Sequence, residues 1–302
     1  MKDIKKLVWL YLSPAILFLV IFVGGPIVQF IYNSFFEISP IKGGPREFIG
    51  LENYLNLFSD DKFWLATAHT LQYGALVVIA EITIGFAIAI VFSALGKKSR
   101  VLRVVFTYPL MIAPIVAGIL WKFLLIENFG ILNEVLLTLG IVSDRNAIGW
   151  LSDPSIALFS VAIPDVWLTT SFVALVTYAG LQNLPGELIE AARLDGANTL
   201  QVIFRIIVPL MRPVLGVVLI IRGIDALRAF DVILVQTEGG PQFSTTTLSL
   251  LTYRTITRFG DPGLGSAMGV VFLLGCMVLA ALALKFVWSP GEKNNGTSIR
   301  QI

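Results

Sequence analysis

Polar and apolar positions along this chain do not alternate with the period of a strand. They separate into long apolar blocks at about 7–36, 70–95, 102–126, 155–181, 207–236 and 263–287. A helix needs about 20 apolar residues to cross the hydrocarbon of a bilayer, and each block reaches that length. Lipid offers the backbone no hydrogen-bond partners, so such runs fold as helices. The pattern predicts an all-α membrane protein with six transmembrane helices in one bundle. The first block follows Lys2, Lys5 and Lys6, but it exceeds the roughly 7–15 apolar residues of a secretory signal and lacks a small-x-small cleavage site. It reads as a retained anchor.

Composition agrees: 56% of residues are hydrophobic and 14% charged, against about a quarter charged in soluble domains, so most of the surface faces lipid. A net charge of +2, without a basic stripe interleaved with aromatics, argues against a nucleic-acid partner. Cys276 is the only cysteine, which excludes an internal disulfide and a cysteine metal cluster; it reads as a helix-packing residue. One histidine and no H-E-x-x-H give no zinc pattern, and no metal site is predicted. Gly96-Lys97 is followed by Lys98 rather than Ser or Thr, so no loop for ATP phosphates exists. No internal repeat or low-complexity tract is present.

Lys and Arg set the orientation. Alternate segments hold thirteen of them (Lys2, Lys5, Lys6; Lys97, Lys98, Arg100, Arg103; Arg193, Arg205, Arg212; Lys285, Lys293, Arg300), and the opposite segments hold six. Both termini and the connector 187–210 are therefore expected in the cytoplasm. Trp9, Trp121 and Trp288 fall near block ends, as headgroup anchors do; Trp167 does not. The external connections, about 37–69 and 127–154, carry turn formers such as Gly43-Gly44-Pro45 and Ser152-Asp153-Pro154.

The connector is the most polar stretch between two blocks. Pro185 suits a first helical turn, and Glu187 and Glu190 suit its positive end. Leu188, Ala191, Ala192 and Leu194 form a small apolar face. Gly196 can stop the helix with a positive φ, and Asn198 can cap the next one with Gln201 in the reciprocal position. Pro209 and Pro213 predict a kink. Geometry alone fits an interfacial hairpin or a helix that transmits force.

The residues resemble a known family. Glu190-Ala191-Ala192, Gly196 and Ile206-Ile207-Val208-Pro209, with Asp195 and Phe204, are similar to the EAA loop of ABC importer permeases, Val208 standing where Leu is usual. Gly50-Leu51-Glu52-Asn53-Tyr54, Phe63-Trp64, Gly130-Ile131-Leu132-Asn133, Phe230-Asp231, Gly239-Gly240-Pro241 and Thr245-Thr246-Thr247-Leu248 look like the sugar-uptake, MalF/UgpA-like branch. His69 replaces the usual Asn, and Glu238 stands in a turn more often rich in glycine. The resemblance implies a type I ABC importer permease fold in a prokaryotic inner membrane. It divides the chain into an N-terminal helix and external loop (1–69), a five-helix core (70–290) with the EAA loop at 185–209, and a cytoplasmic tail (291–302). It further implies docking on an ATPase through Glu190, Ala191, Ala192, Asp195 and Gly196. Its partners would be a second, MalG/UgpE-like permease, two ATPase subunits that hold ATP and Mg, and an extracytoplasmic binding protein. No cofactor would sit on this chain. Gly239, Gly240 and Pro241 would meet the binding protein or close the outer mouth.

Besides Arg103, Arg212 and Lys285 near block ends, seven ionisable residues fall within the blocks: Glu81, Lys122, Asp165, Arg222, Asp225, Arg228 and Asp231. Charges in lipid are costly, so they are expected to face the bundle interior and to pair. Lys122, near an outer end, can snorkel. Arg222, Asp225, Arg228 and Asp231 recur every three residues, which predicts an ion-pair ladder along one helix, and Glu81 is a counter-charge for Arg222 or Arg228. The resemblance places a mid-membrane sugar path at Asp165, Leu168, Thr169, Arg222, Asp225, Ala226 and Ala229, with Trp167 as a stacking surface or a packing residue. A disaccharide or oligosaccharide fits such a path; a phosphate ester such as glycerol 3-phosphate, meeting Arg222, is the alternative. An ion-coupled carrier would also use buried Asp and Arg, but usually shows an internal repeat. An intramembrane enzyme would need a nucleophile and base that are absent here.

Overall fold

A computed structural model describes residues 2–38 and 46–287. Gly43-Gly44-Pro45, Trp288 and the tail 291–302 with Lys293 and Arg300 lie outside the described residues.

The first block folds as α1 (Lys2–Leu19), a π-helical turn (Val20–Gly24) and α2 (Gly25–Asn33). Its crossing-length stretch, Trp9–Asn33, is not buried against the rest of the chain; only α2 rests on the last helix. Two short antiparallel strands, β1 (Phe36–Glu37) and β2 (Glu47–Phe48), interrupt the helical pattern, with Phe36 opposite Phe48. Two residues per strand are too few for periodicity to show. Next come α3 (Glu52–Ser59) and α4 (Asp61–Leu95), which Asp60 caps by accepting the Lys62 N–H at 2.9 Å. The Asn53 amide, buried at the start of α3, donates to the carbonyls of Ser34 and Phe36 at 2.9 and 3.0 Å and ties the loop down.

The block 102–126 is not one helix. It divides into α5 (Arg100–Thr107), a 3₁₀ turn (Tyr108–Met111) and α6 (Pro114–Leu125). Ile112 and Ala113 are extended between them, the conformation favoured before a proline. Alone, α6 is about 18 Å long, short of the roughly 30 Å of hydrocarbon. Then follow α7 (Ile131–Thr138) and α8 (Ala157–Gln182).

The connector forms α9 (Gly186–Leu194), α10 (Thr199–Val202), a π-helical turn (Ile203–Ile207) and α11 (Val208–Leu210). The chain then bends by 69° into α12 (Arg212–Leu227), where Pro209 and Pro213 predict a kink. The block 207–236 breaks again before α13 (Asp231–Gln236). The last helices are α14 (Leu248–Thr257) and α15 (Pro262–Val287). Among the described residues four helices are long and apolar enough to cross a membrane, or five if the bent pair is one span.

At the centre, α4 and α8 lie against each other, and α12 packs on α4, α8 and α15. Gly85 permits the close approach, since a Cβ there would stand 2.7 Å from a Val173 methyl. Tyr73, Val77, Val161, Ala226, Ile233 and Leu250 fill the core around this contact. The same helices carry the buried charges.

Candidate functional site

The connector is held by local bonds, and α9 buries none of its residues, whereas Val202 and Ile207 behind it pack inward. Asn198 and Gln201 form the reciprocal cap, Gln201 N–H to Asn198 Oδ1 at 2.9 Å and Asn198 N–H to Gln201 Oε1 at 2.8 Å. Gly196 has φ +85°, and the Ala197 N–H reaches back to the Ala192 carbonyl at 2.9 Å, closing α9. Glu190, Ala191, Asp195 and Gly196 are exposed, Ala192 half-buried. Two large apolar side chains stay uncovered: Leu194 is 88% exposed and Phe204 67%. A Cβ at Gly196 would meet nothing within 4 Å, so its substitution costs only the left-handed conformation, about 1–2 kcal/mol. Gly196→Val is therefore expected to speed hydrogen exchange at the Ala197 amide by roughly five- to thirtyfold; unchanged protection would show that glycine is not required.

The second cluster lies where α4, α8 and α12 meet. Arg222 grips Glu81 through two bonds, Nε to Oε2 at 2.7 Å and Nη2 to Oε1 at 2.8 Å. Both side chains are buried, at 7% and 0% exposure. The same guanidinium reaches Thr169 Oγ1 at 3.1 Å, Asp165 Oδ1 at 3.4 Å and Asp225 Oδ2 at 3.4 Å. The Thr169 hydroxyl donates to the Glu81 carboxylate, and the Tyr73 hydroxyl to Asp165 Oδ2 at 3.2 Å. Three carboxylates thus share one guanidinium, which keeps a single Nη1 N–H outside these bonds. Charge-assisted bonds of this kind are about twice as strong as neutral ones, so Arg222 pins three helices together. Asp225, with its side chain 49% exposed, is the member that opens outward.

The predicted ladder forms only its first rung, Arg222 to Asp225. Its helix ends at Leu227, Arg228 takes a cap conformation, and Asp231 begins a new helix. Among the described residues no ion pair joins Arg228 to Asp225 or Asp231. All three are exposed. Of Glu81's two possible counter-charges, Arg222 is the partner. Lys122 donates instead to the Val235 carbonyl at 2.9 Å.

The predicted path residues separate. Asp165 and Thr169 join the charge cluster. Leu168 and Ala226 are buried, at 4% and 1% exposure, and Ala229 is half-buried, packed against the core. Trp167 leaves Asp165's face of α8 and sets its ring edge-on to Trp121, centroids 6.0 Å apart. Tyr73, which orients Asp165, was not marked by any sequence pattern.

At the other end, the turn 239–241 is braced from within. Thr246 Oγ1 donates to the Gly239 carbonyl at 2.9 Å, and Thr245 Oγ1 to the Gly240 carbonyl at 2.8 Å, which accounts for Thr245 and Thr246. Gly239 is buried, Gly240 and Pro241 half-buried, so Gly239 presents no surface to another molecule in this state. Glu238 accepts from Arg258 Nη2 at 2.8 Å, and that hydrogen bond holds its carboxyl below the ordinary carboxylate range.

Known proteins resemble this chain along nearly its whole length. It is 34% identical over 283 residues to the sulfoquinovosyl glycerol transport system permease protein SmoG of Agrobacterium fabrum, covering 94% of this chain and 91% of the relative. It is equally identical over 281 residues to the trehalose/maltose transport system permease protein MalF of Thermococcus litoralis, covering 93% of each. Among solved structures, a chain of a bacterial ABC transporter that imports the acidic polysaccharide alginate shares the fold, with TM-score 0.81 at 22% identity over 96% of this chain and 99% of that one. Residues 81–287 match the model of the binding-protein-dependent transport system inner membrane component family. With those residues and relatives of that likeness, the chain belongs to the family of inner membrane components of binding-protein-dependent transport systems.

Proposed function

We propose that this chain is one permease of an ATP-driven importer that receives a carbohydrate from an extracytoplasmic binding protein and forms half of its passage. One observation carries the reading: the connector folds on its own caps, yet leaves Glu190, Leu194 and Phe204 in the open. A separate ATPase, of which an importer of this plan has two, would seat α9 through Glu190, Ala191, Ala192, Asp195 and Gly196, and would itself hold ATP and Mg. A second, MalG/UgpE-like permease would supply the facing half.

In this reading the chain crosses a prokaryotic inner membrane six times with both termini in the cytoplasm. The third crossing is α5 with α6, and the fifth is α12 with α13. The first helix and its loop (1–69), the core (70–290) and the tail (291–302) act as three units. Swinging α9 moves α8 and α12, which the Glu81–Arg222 pair joins to α4. The braced turn 239–241 is the outer gate, with Gly240 and Pro241 nearest its surface.

The site favours an uncharged sugar, as in the name of the trehalose/maltose relative, over a phosphate ester. Three carboxylates outweigh the charge of Arg222, and the group on the open face is the Asp225 carboxylate, an acceptor for hydroxyls that repels anions. A phosphate ester would have to use Arg228 instead.

Co-expression with the chain's genomic neighbours tests the assembly: an ATPase should co-purify, and its absence would favour an ion-coupled carrier. In the reconstituted complex, Asp225→Ala should cut maltose or trehalose uptake about tenfold or more, the scale of a lost hydrogen bond to a charged group, while Arg228→Ala leaves it largely intact. Glycerol 3-phosphate uptake abolished by Arg228→Ala would overturn the choice of an uncharged solute.

A further inference from the structure

Between α4, α5, α6 and α8 lies a cavity of about 800 Å³ with almost wholly apolar walls, separate from the Glu81–Arg222 cluster. Ile84, Ile88 and Phe92 line it from α4, Phe106 from α5, Trp121 from α6 and Trp167 from α8. Its α4 wall runs from Leu76 to Phe92, about 24 Å of helix, most of the roughly 30 Å thickness of hydrocarbon. Only Trp121, Trp167 and Thr170 bring polar atoms to these walls, too few for a sugar's hydroxyls.

A basic group stands just beyond one end of the cavity, whose own lining carries no charged residue. The Phe92 ring touches those of Phe106 and Tyr178, with centroids 6.0 and 6.2 Å apart, and the Arg103 guanidinium lies over Tyr178 at 4.5 Å. Arg103 is half-buried, its Nε has no acceptor, and no ion pair reaches it among the described residues. Lys97, Lys98 and Arg100 stand exposed just before it in the chain. The Nε is closed to a solute, but the half-buried guanidinium as a whole carries a charge that no carboxylate among the described residues offsets and that attracts an anion at the headgroup level.

We propose that this groove holds the acyl chain of an anionic phospholipid whose phosphate pairs with Arg103, with Lys97, Lys98 and Arg100 supplying the preference for a net negative headgroup. The apolar length matches an acyl chain, and the basic group just beyond its end matches the headgroup level, where each Lys or Arg attracts an anionic leaflet. The inference requires only that the chain lies in a bilayer, so it stands apart from the identity of the solute.

The assembled transporter, reconstituted in equal phosphatidylglycerol and phosphatidylcholine and released gently, can be weighed with its bound lipid by native mass spectrometry. Phosphatidylglycerol should be retained in preference. Arg103→Gln should lower that preference roughly fivefold, the attraction of one basic residue, and Arg103→Lys should restore most of it. Ile88→Trp, which fills the groove, should remove the lipid from a complex that still assembles. Equal retention of the two lipids, or retention untouched by Arg103→Gln and Ile88→Trp, would overturn the proposal. So would a cross-link from Ile88→Cys to the second permease, since protein would then occupy the groove.

Discussion

Replacing Arg222 with methionine is expected to destabilise the protein by about 3 to 5 kcal/mol, the cost of leaving one member of a buried ion pair without its partner. Glu81 is completely buried and would lose both of its guanidinium bonds; Asp165 and Asp225 would lose the charge they share. The melting temperature of the detergent-purified complex should fall by several degrees or more, or the chain should fail to accumulate. Glu81→Gln combined with Arg222→Met removes the charge mismatch and should recover much of the loss, because apolar or neutral replacement of a whole buried pair is often close to neutral. Arg222→Lys should fall between, keeping one charge but not the two-pronged grip. A single Arg222→Met chain that melts with its parent would show that the cluster does not hold α4, α8 and α12 together.

The second large effect concerns Glu190. It is exposed on a helix that makes no buried contact with its own chain, so Glu190→Lys should leave membrane insertion and the fold intact. Reversing a charge that faces a partner costs far more than losing it, since like charges are then juxtaposed. Uptake by the reconstituted complex is expected to drop roughly tenfold or more, while the ATPase subunits retain their basal hydrolysis. Glu190→Gln should be milder. Undiminished transport by the Glu190→Lys protein would remove Glu190 from the docking surface.

What the sequence made legible was local. The caps at Asn198 and Gln201 and the stop at Gly196 depend on residues three or four apart, and the structure forms each as expected. Block lengths predicted where helices lie, but average apolarity does not mark a break. The interruption at Ile112 and Ala113 had a signal in Pro109 and Pro114. The one at Arg228–Phe230 had none, as neither glycine nor proline stands there. There the Thr247 hydroxyl, distant in the chain, donates to the freed Ala229 carbonyl at 3.4 Å, and beyond Asp225 the ladder that a continuous helix would have allowed is lost. Partner choice was hidden for the same reason: Glu81 and Arg222 are 141 positions apart, and periodicity cannot say which charges meet. Trp167 and Asp165, two residues apart, lie about 200° from each other around a helix at 3.6 residues per turn. That angle separates the apolar groove from the charged cluster and was readable before any coordinates.

The most direct test of the account places a photo-crosslinking amino acid at Leu194, which is 88% exposed on the connector, in cells that also make the neighbouring ATPase. Illumination should join this chain to the ATPase, and Glu190→Lys should weaken that adduct. An adduct with lipid alone, or none at all in a complex that still transports, would contradict the claim that a motor subunit grips the protein at this connector.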